Sequence, residues 1–473
     1  MTAYLRFIRG EIPLLSYGLS FTFLSSFGQT FLLSLFVPAF LIEFAISNGE
    51  FGALYAGATL ASALLLPWAG SWMDRIRLNR FTLVVVLVLA GSAFLLAVSW
   101  SLWVFAIALL GLRLAGQGLS GQTALTAMAR YFGPGRGKAL SITSLGFPLG
   151  EGVLPLLIAA SIGVVGWRMS WGVVGGMVLM VFAPALVLLL RHAGVELDPA
   201  RASPKDGGHS SEEGAAGDHD PEGANDPEEV GGPSARDPAK ADSGSPRREG
   251  ASGSDAGATR PNASGAPELP DPSPMRQGWN RREVLGDPRF WFVLPAALLP
   301  PFWVTGFFLY QTAIAGIKGW SLPLMASAFV AFAITRVVLS LLAGGWIDRF
   351  SARRVFPFSP LPLALGCAIL WQFDAAWAAW GFMASLGVAV GISGTVKPAL
   401  WAELYGVRHL GAIQTMMAAL MVLSTAGSPV LIGFALDAGV ALEHLLLAGI
   451  VSVGVGTLLS FRLYWPSPAT AAG

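Results

Sequence analysis

Cysteine is nearly absent: Cys367 is the one thiol in 473 residues, and it lies inside an apolar run. That excludes a disulfide framework and a thiol-based metal site. No His-x-His, Glu-x-x-His or cysteine cluster is present, and no Gly-x-x-x-x-Gly-Lys-Ser/Thr loop, so no metal, no cofactor and no nucleotide-hydrolysing pump is expected. The apolar stretches hold no histidine pair that would supply a base beside a nucleophile, and no enzyme is expected. Charge is scarce as well. Only 12% of residues are charged against 54% hydrophobic, where soluble domains carry about 25% charged. Much of that charge sits in one segment, residues 193–285, and the net charge of +1 gives no reason for a nucleic-acid partner.

What is abundant is apolar sequence in long runs. A helix needs about 20 apolar residues to cross a bilayer, and that template predicts twelve spans. The first six cover 12–42, 51–73, 80–99, 101–130, 138–164 and 168–191. The others cover 290–317, 321–347, 354–373, 376–402, 408–436 and 440–464. Arg6 and Arg9 precede the first run, which is far longer than the core of a signal peptide and has no small-x-small cleavage site, so it reads as a retained span. The expected fold is an all-α membrane protein with an even number of crossings and both termini on one side.

Arginine and lysine set the side. Arg75, Arg77, Arg80, Arg130, Arg136, Lys138, Arg281, Arg282, Arg289, Arg349, Arg353, Arg354, Arg408 and Arg462 join Arg6 and Arg9 on one face, whereas the opposite loops hold only Arg168 and Lys318. The positive-inside bias makes the rich face cytoplasmic, in a cell inner membrane. Between His192 and Trp279 there is no Phe, Trp or Tyr. Such a segment cannot bury enough apolar surface to offset ordering entropy, and is expected to be a disordered cytoplasmic linker. The predicted domains are 1–192, a linker 193–285, 286–465 and a short tail 466–473. The Asn262-Ala263-Ser264 sequon then lies on the wrong side for glycosylation.

One internal repeat is strong. AGSWMDRIRLNRF from Ala69 matches AGGWIDRFSARRV from Ala343, at an offset of about 274 residues; the same offset, within one residue, relates Tyr131 onward to Leu404 onward, and Pro155 to Pro429. Two six-helix bundles in the same orientation imply a pseudo-two-fold axis along the membrane normal, with a cavity between them. The doubled Gly-x-x-x-Asp-Arg loop resembles the signature loop of the major facilitator superfamily, apart from Arg77 and Ser351 where that family usually has glycine. The resemblance covers the chain outside the linker. It implies a monomeric secondary transporter for a small molecule, working by alternating access. It further implies that Asp74, Arg75, Asp348 and Arg349 act as a gating latch that stabilises the outward-open state; plain anchoring at the headgroups is the structural alternative.

Ionisable groups within the spans are costly and so mark function. Arg113, Glu151, Arg336 and Lys397 qualify, three cations against one carboxylate, and an anionic substrate would relieve the excess. Arg113 and Gln117, four residues apart, are expected on one helical face and in contact with the substrate. The stretch resembles the superfamily's span-four motif, whose arginine is associated with proton coupling; alternatively Arg113 bonds backbone carbonyls of span five. Glu151, in GFPLGEGVLP, is the expected protonatable group, because burial and a neighbouring cation pull a carboxylate's proton affinity in opposite directions. Its structural alternative is a permanent pair with Arg113. Arg336 resembles the intramembrane arginine of monocarboxylate and oxalate/formate carriers, which implies substrate contact, with Lys397 as a point charge beside it. Tyr310 and Gln311, in a span that resembles the same branch, are expected to line the pocket. The leading expectation is proton-coupled transport of a small, monocarboxylate-like organic anion. A proton-antiporting exporter of amphipathic compounds and a non-transporting sensor stand as alternatives.

Overall fold

In the computed structural model of this chain, residues 7–132, 135–194 and 278–464 are described. They are almost entirely helical. Ten stretches are long and apolar enough to cross a bilayer, and a bent pair, Ile12–Gly28 with Thr30–Phe44, makes an eleventh crossing with a 48° break. One of the ten, Arg136–His192, runs for 57 residues, about 85 Å of helix at 1.5 Å per residue, against a hydrocarbon core about 30 Å thick. It crosses twice, turning at Gly166, whose φ of 78° and ψ of 169° lie outside helical space. Ser161 and Ser170 join hydroxyls at 2.8 Å across that turn.

The twelve crossings are numbered α1 (Ile12–Gly28 and Thr30–Phe44), α2 (Asn48–Asp74), α3 (Leu78–Ala97), α4 (Leu102–Tyr131), α5 (136–165), α6 (167–192), α7 (Pro288–Leu309), α8 (Leu322–Phe350), α9 (Ala352–Gln372), α10 (Ala376–Tyr405), α11 (Leu410–Asp437) and α12 (Leu442–Tyr464). They agree with the predicted spans to within a few residues, except that the seventh, predicted to run to 317, ends at Leu309 and is followed by a separate short helix, Gln311–Ile317. Following the chain through them places Asp74 at one membrane face and Asn48 at the other, here called the Asp74 side and the Asn48 side. Three helix starts on the Asn48 side carry side-chain caps, whereas α10 and α12 begin after Ala375 and Ala441 without one. Ser47 and Glu50 form a capping box on α2, and Ser101 and Ser321 accept the third backbone N–H of α4 and α8.

The outer surface is apolar. Ile42, Trp103 and Val164 are 82%, 82% and 83% exposed, an arrangement that requires lipid around the helices. Exposed tryptophans lie near both ends of the crossings, Trp100, Trp103 and Trp377 on one side and Trp68, Trp72 and Trp291 on the other, as expected at the two water–lipid interfaces.

The described chain ends at Gly194 and resumes at Gly278, and residues 278–286, which the sequence reading assigned mainly to the linker, are ordered. Asn280 and Glu283 form a capping box on a short helix, Arg281–Gly286. Trp279 donates its backbone N–H to Tyr405 O at 3.0 Å, and Arg281 Nε donates to Ala412 O at 3.0 Å. A backbone hydrogen bond, the Trp279–Tyr405 ring contact and a guanidinium thus tie the start of the second half to the adjoining ends of α10 and α11. The remainder of the expected linker, with its sequon, and the tail 466–473 lie outside the described residues.

Glycine lets α1 and α4 touch backbone to backbone. A Cβ on Gly116 would sit 2.6 Å from Gly28 N and 2.7 Å from Gly28 Cα, atoms that cannot swing away. Gly116→Ala is therefore expected to lower stability by about 1–3 kcal/mol through overpacking, read as a fall of several degrees in the unfolding midpoint of purified protein. An unchanged midpoint would contradict the close contact.

Candidate functional site

The first crossing is broken at its centre. Residues 25–28 tighten into a 3₁₀ turn, Gln29 is extended (φ −82°, ψ 153°), and a new helix begins at Thr30. The break leaves the carbonyl of Gly28 without a helical donor, and Arg113 supplies one: Nη1 donates to Gly28 O at 3.0 Å and Nε to Thr59 Oγ1 at 3.1 Å. Its guanidinium lies 4.7 Å from the centre of the Tyr55 ring, and the residue is 3% exposed. Arg113 thus bonds a backbone carbonyl, as the structural alternative held, but that of α1 and not of α5.

Gln117 does not share its surroundings. Leu112–Ser120 winds as a π-helix, with i→i+5 hydrogen bonds in place of i→i+4. Gln117 is exposed while Arg113 is buried.

Glu151 does not meet Arg113. Its Oε1 accepts from Nη1 of Arg336 on α8, so the pair bridges the two halves near mid-membrane. Two features of the packing keep Glu151 from Arg113. Arg113 spends its donors on the broken α1, and α5 faces α8 closely enough that a Cβ on Gly152 would lie 3.3 Å from Ala333 Cβ. The other oxygen, Glu151 Oε2, is buried with no partner among the described residues.

A second defect in a helix places Lys397. Pro300 and Pro301 lack N–H groups, so the carbonyls of Ala296 and Ala297 on α7 lose their helical donors. Lys397 Nζ on α10 donates to Ala297 O at 2.7 Å, and Ser424 Oγ on α11 to Leu298 O at 2.9 Å. Ala297, Leu298 and Lys397 border a cavity of about 580 Å³ in the C-terminal half, reaching Gln29 of the first half. Its other polar wall groups are Ser393 and Gln414, with the Thr305 hydroxyl beside them. No ion-pair partner meets Lys397 among the described residues.

Tyr310 and Gln311 do not line this cavity. Both are buried where the halves close on the Asn48 side. Tyr310 Oη lies 2.9 Å from Asn48 O and 2.7 Å from Pro429 O, and Gln311 Nε2 donates to Phe31 O at 3.0 Å and to Ser34 Oγ. Asp437 completes the closure. Its carboxylate accepts from Asn48 N and Nδ2, both at 3.0 Å, and from Gly49 N at 2.7 Å, which sets a negative charge on the exposed N–H groups at the start of α2. The polar contacts that join the halves thus run from mid-membrane to the Asn48 side, and the cavity extends the other way, toward Trp401 and Gln414.

The expected latch residues are not brought together across the halves in this state. Asp74 pairs with Arg130 at the end of α4, inside the first half. Arg349 lies over the Phe350 ring at 5.3 Å. Arg75 and Asp348 make no ion pair among the described residues. In the second half the equivalent junction carries the acid on the other partner: Glu403, at the end of α10, accepts from Ala352 N at 2.7 Å and Arg353 N at 3.1 Å. The position of the junction repeats, and its chemistry is inverted.

Sequence reasoning missed Gln29, Ser393, Glu403, Gln414 and Asp437. Ser393 was within reach of a spacing argument, since it precedes Lys397 by one helical turn. Gln29 is the one amide side chain in the first apolar run, although nothing local says that the helix breaks there.

A family model described as Major Facilitator Superfamily matches residues 19–321, more than half of the chain. No curated protein matches the sequence. Among solved structures, a bacterial homologue of the human lysosomal transporter Spinster, described as inward-facing and unoccupied, superposes with a TM-score of 0.58 over 96% of this chain and 98% of that one. Its 16% identity makes this a likeness of fold.

Proposed function

The chain belongs to the Major Facilitator Superfamily, and from that premise we propose that this multi-pass secondary transporter carries a small organic anion, monocarboxylate-like, together with protons. The observation that carries the reading is Lys397, a cation at the cavity wall whose one hydrogen bond goes to a backbone carbonyl. A carboxylate entering from the Asp74 side meets that charge in a low dielectric, with the Ser393 hydroxyl beside it. Arg336 is held by Glu151 in this state, and protonation of Glu151 releases it for an anion, which links proton and substrate. The arginine-rich loops on the Asp74 side support a cytoplasmic placement for that face, for both termini and for the linker, and so an inward-open state in a cell inner membrane.

The test is uptake of radiolabelled carboxylates by proteoliposomes, with and without a pH gradient. Saturable uptake enhanced by an inward proton gradient is expected, and no uptake of any carboxylate under any gradient would sink the proposal. Lys397→Gln sharpens it, because an amide can still donate to Ala297 O while the charge is gone. Half-saturation is expected to rise about tenfold, the equivalent of about 1.4 kcal/mol, with an unchanged unfolding midpoint.

A further inference from the structure

The cavity beside Lys397 is much larger and more apolar than a two- or three-carbon acid requires. At about 580 Å³ it falls in the range of roughly 300–1,000 Å³ that holds drug-sized ligands. Its polar groups are few, and two of them share one face of α10: Ser393 and Lys397 are one turn apart. Ser393 is 6% exposed, and its hydroxyl has no hydrogen-bond partner among the described residues, so a buried polar group stands ready at the wall for a ligand atom. Lys397 has three N–H donors and uses one on Ala297 O. Around them the walls are Trp401, one turn further along α10, Val304 of α7, and Met417 and Met421 of α11. Methionine fills irregular space around flexible apolar ligands.

We infer that the substrate is an amphipathic organic anion, its ionised head on Lys397 and Ser393 and an extended apolar body against Val304, Trp401, Met417 and Met421. This rests on the organic-anion reading above and narrows it, since a short acid fills the head site alone and leaves the apolar walls wet. The head is set by Ser393 and Lys397 and the body by the apolar side chains of α7, α11 and Trp401, so charge selectivity and length selectivity separate by mutation.

Binding to the full-length protein in lipid nanodiscs, with empty nanodiscs subtracting partition into lipid, reads both properties. The probes are n-alkanesulfonates from propane- to octanesulfonate, which stay ionised and so avoid the permeant neutral acid, with the matching n-alkanols and n-alkyltrimethylammonium ions. Affinity is expected to rise about fourfold per added methylene, the ratio that corresponds to burial of one CH₂. Octanol and the octyl cation are expected to bind at least tenfold more weakly than octanesulfonate. Lys397→Gln should bring octanesulfonate down to the level of octanol and keep the length dependence, whereas Met421→Ser should flatten the length dependence and keep the preference for the anion. Equal binding of short and long sulfonates overturns this inference and leaves the organic-anion reading standing. Binding of octanol as tight as octanesulfonate overturns the head assignment, and absence of binding by every anion overturns both readings.

Discussion

Glu151→Gln is expected to reduce substrate accumulation driven by a pH gradient at least tenfold while leaving substrate exchange between equal pools intact. Glutamine has the shape and the neutrality of the protonated side chain, so it leaves Arg336 as free as the protonated acid does, but it neither takes up nor releases a proton. A carrier whose Glu151 only staples α5 to α8 behaves differently: the staple weakens in every assay, and exchange falls with accumulation. Arg336→Gln gives the complementary result. It strands the carboxylate of Glu151 at a site 12% exposed, and removing one partner of a buried pair costs about 3–5 kcal/mol, so both transport modes and the unfolding midpoint should drop. The double variant Glu151→Gln with Arg336→Gln removes both charges and should recover much of the stability, because no uncompensated ion remains. Proteoliposome accumulation, counterflow and thermal unfolding on the three variants decide the matter. Retained accumulation in Glu151→Gln would exclude the residue from coupling.

The sequence carried the frame of the molecule further than the detail of its site. Apolar length alone placed all twelve crossings, and the repeat at Ala69 and Ala343 divided them into two halves, because each feature depends on bilayer thickness or on chain spacing and not on side-chain partners. The partners themselves depended on where helices break. Arg113 was legible as a buried cation, yet its partner is Gly28, whose carbonyl is free only because α1 is interrupted at Gln29. Glu151 was legible as a buried acid, yet which of three cations it meets was settled by the packing of α5 on α8. Lys397 reads differently again. Pro300 and Pro301 announce two orphaned carbonyls in the sequence, and a donor for them had to come from somewhere; that it comes from a residue more than ninety positions away is a fact of packing.

Gly433→Val is expected to hold the molecule parted on the Asn48 side and to reduce transport from severalfold to about a hundredfold. At that position α11 crosses the start of α2 with no room for a side chain. A Cβ would lie 2.6 Å from Asn48 O and 2.8 Å from Asn48 C, and would collide with the Tyr310 hydroxyl. The mirror contact is at Gly52, where a Cβ would lie 2.7 Å from the same hydroxyl. Overpacking of this kind costs about 1–3 kcal/mol; the part that comes from Asn48, across the halves, falls only on the state in which they meet there, so the equilibrium between states shifts by up to that amount, from severalfold to about a hundredfold in population. Asp437→Ala should act in the same direction and less strongly, since it removes the three hydrogen bonds to Asn48 and Gly49 without adding bulk. Spin-label distances between the α1–α2 and α11–α12 loops should lengthen in Gly433→Val, and those between the α2–α3 and α8–α9 loops should shorten, with the unfolding midpoint little changed. Unaltered distances with a lowered midpoint would instead make Gly433 a packing residue of one half, and the closure at Asn48 would then have to be held by Tyr310, Gln311 and Asp437 alone.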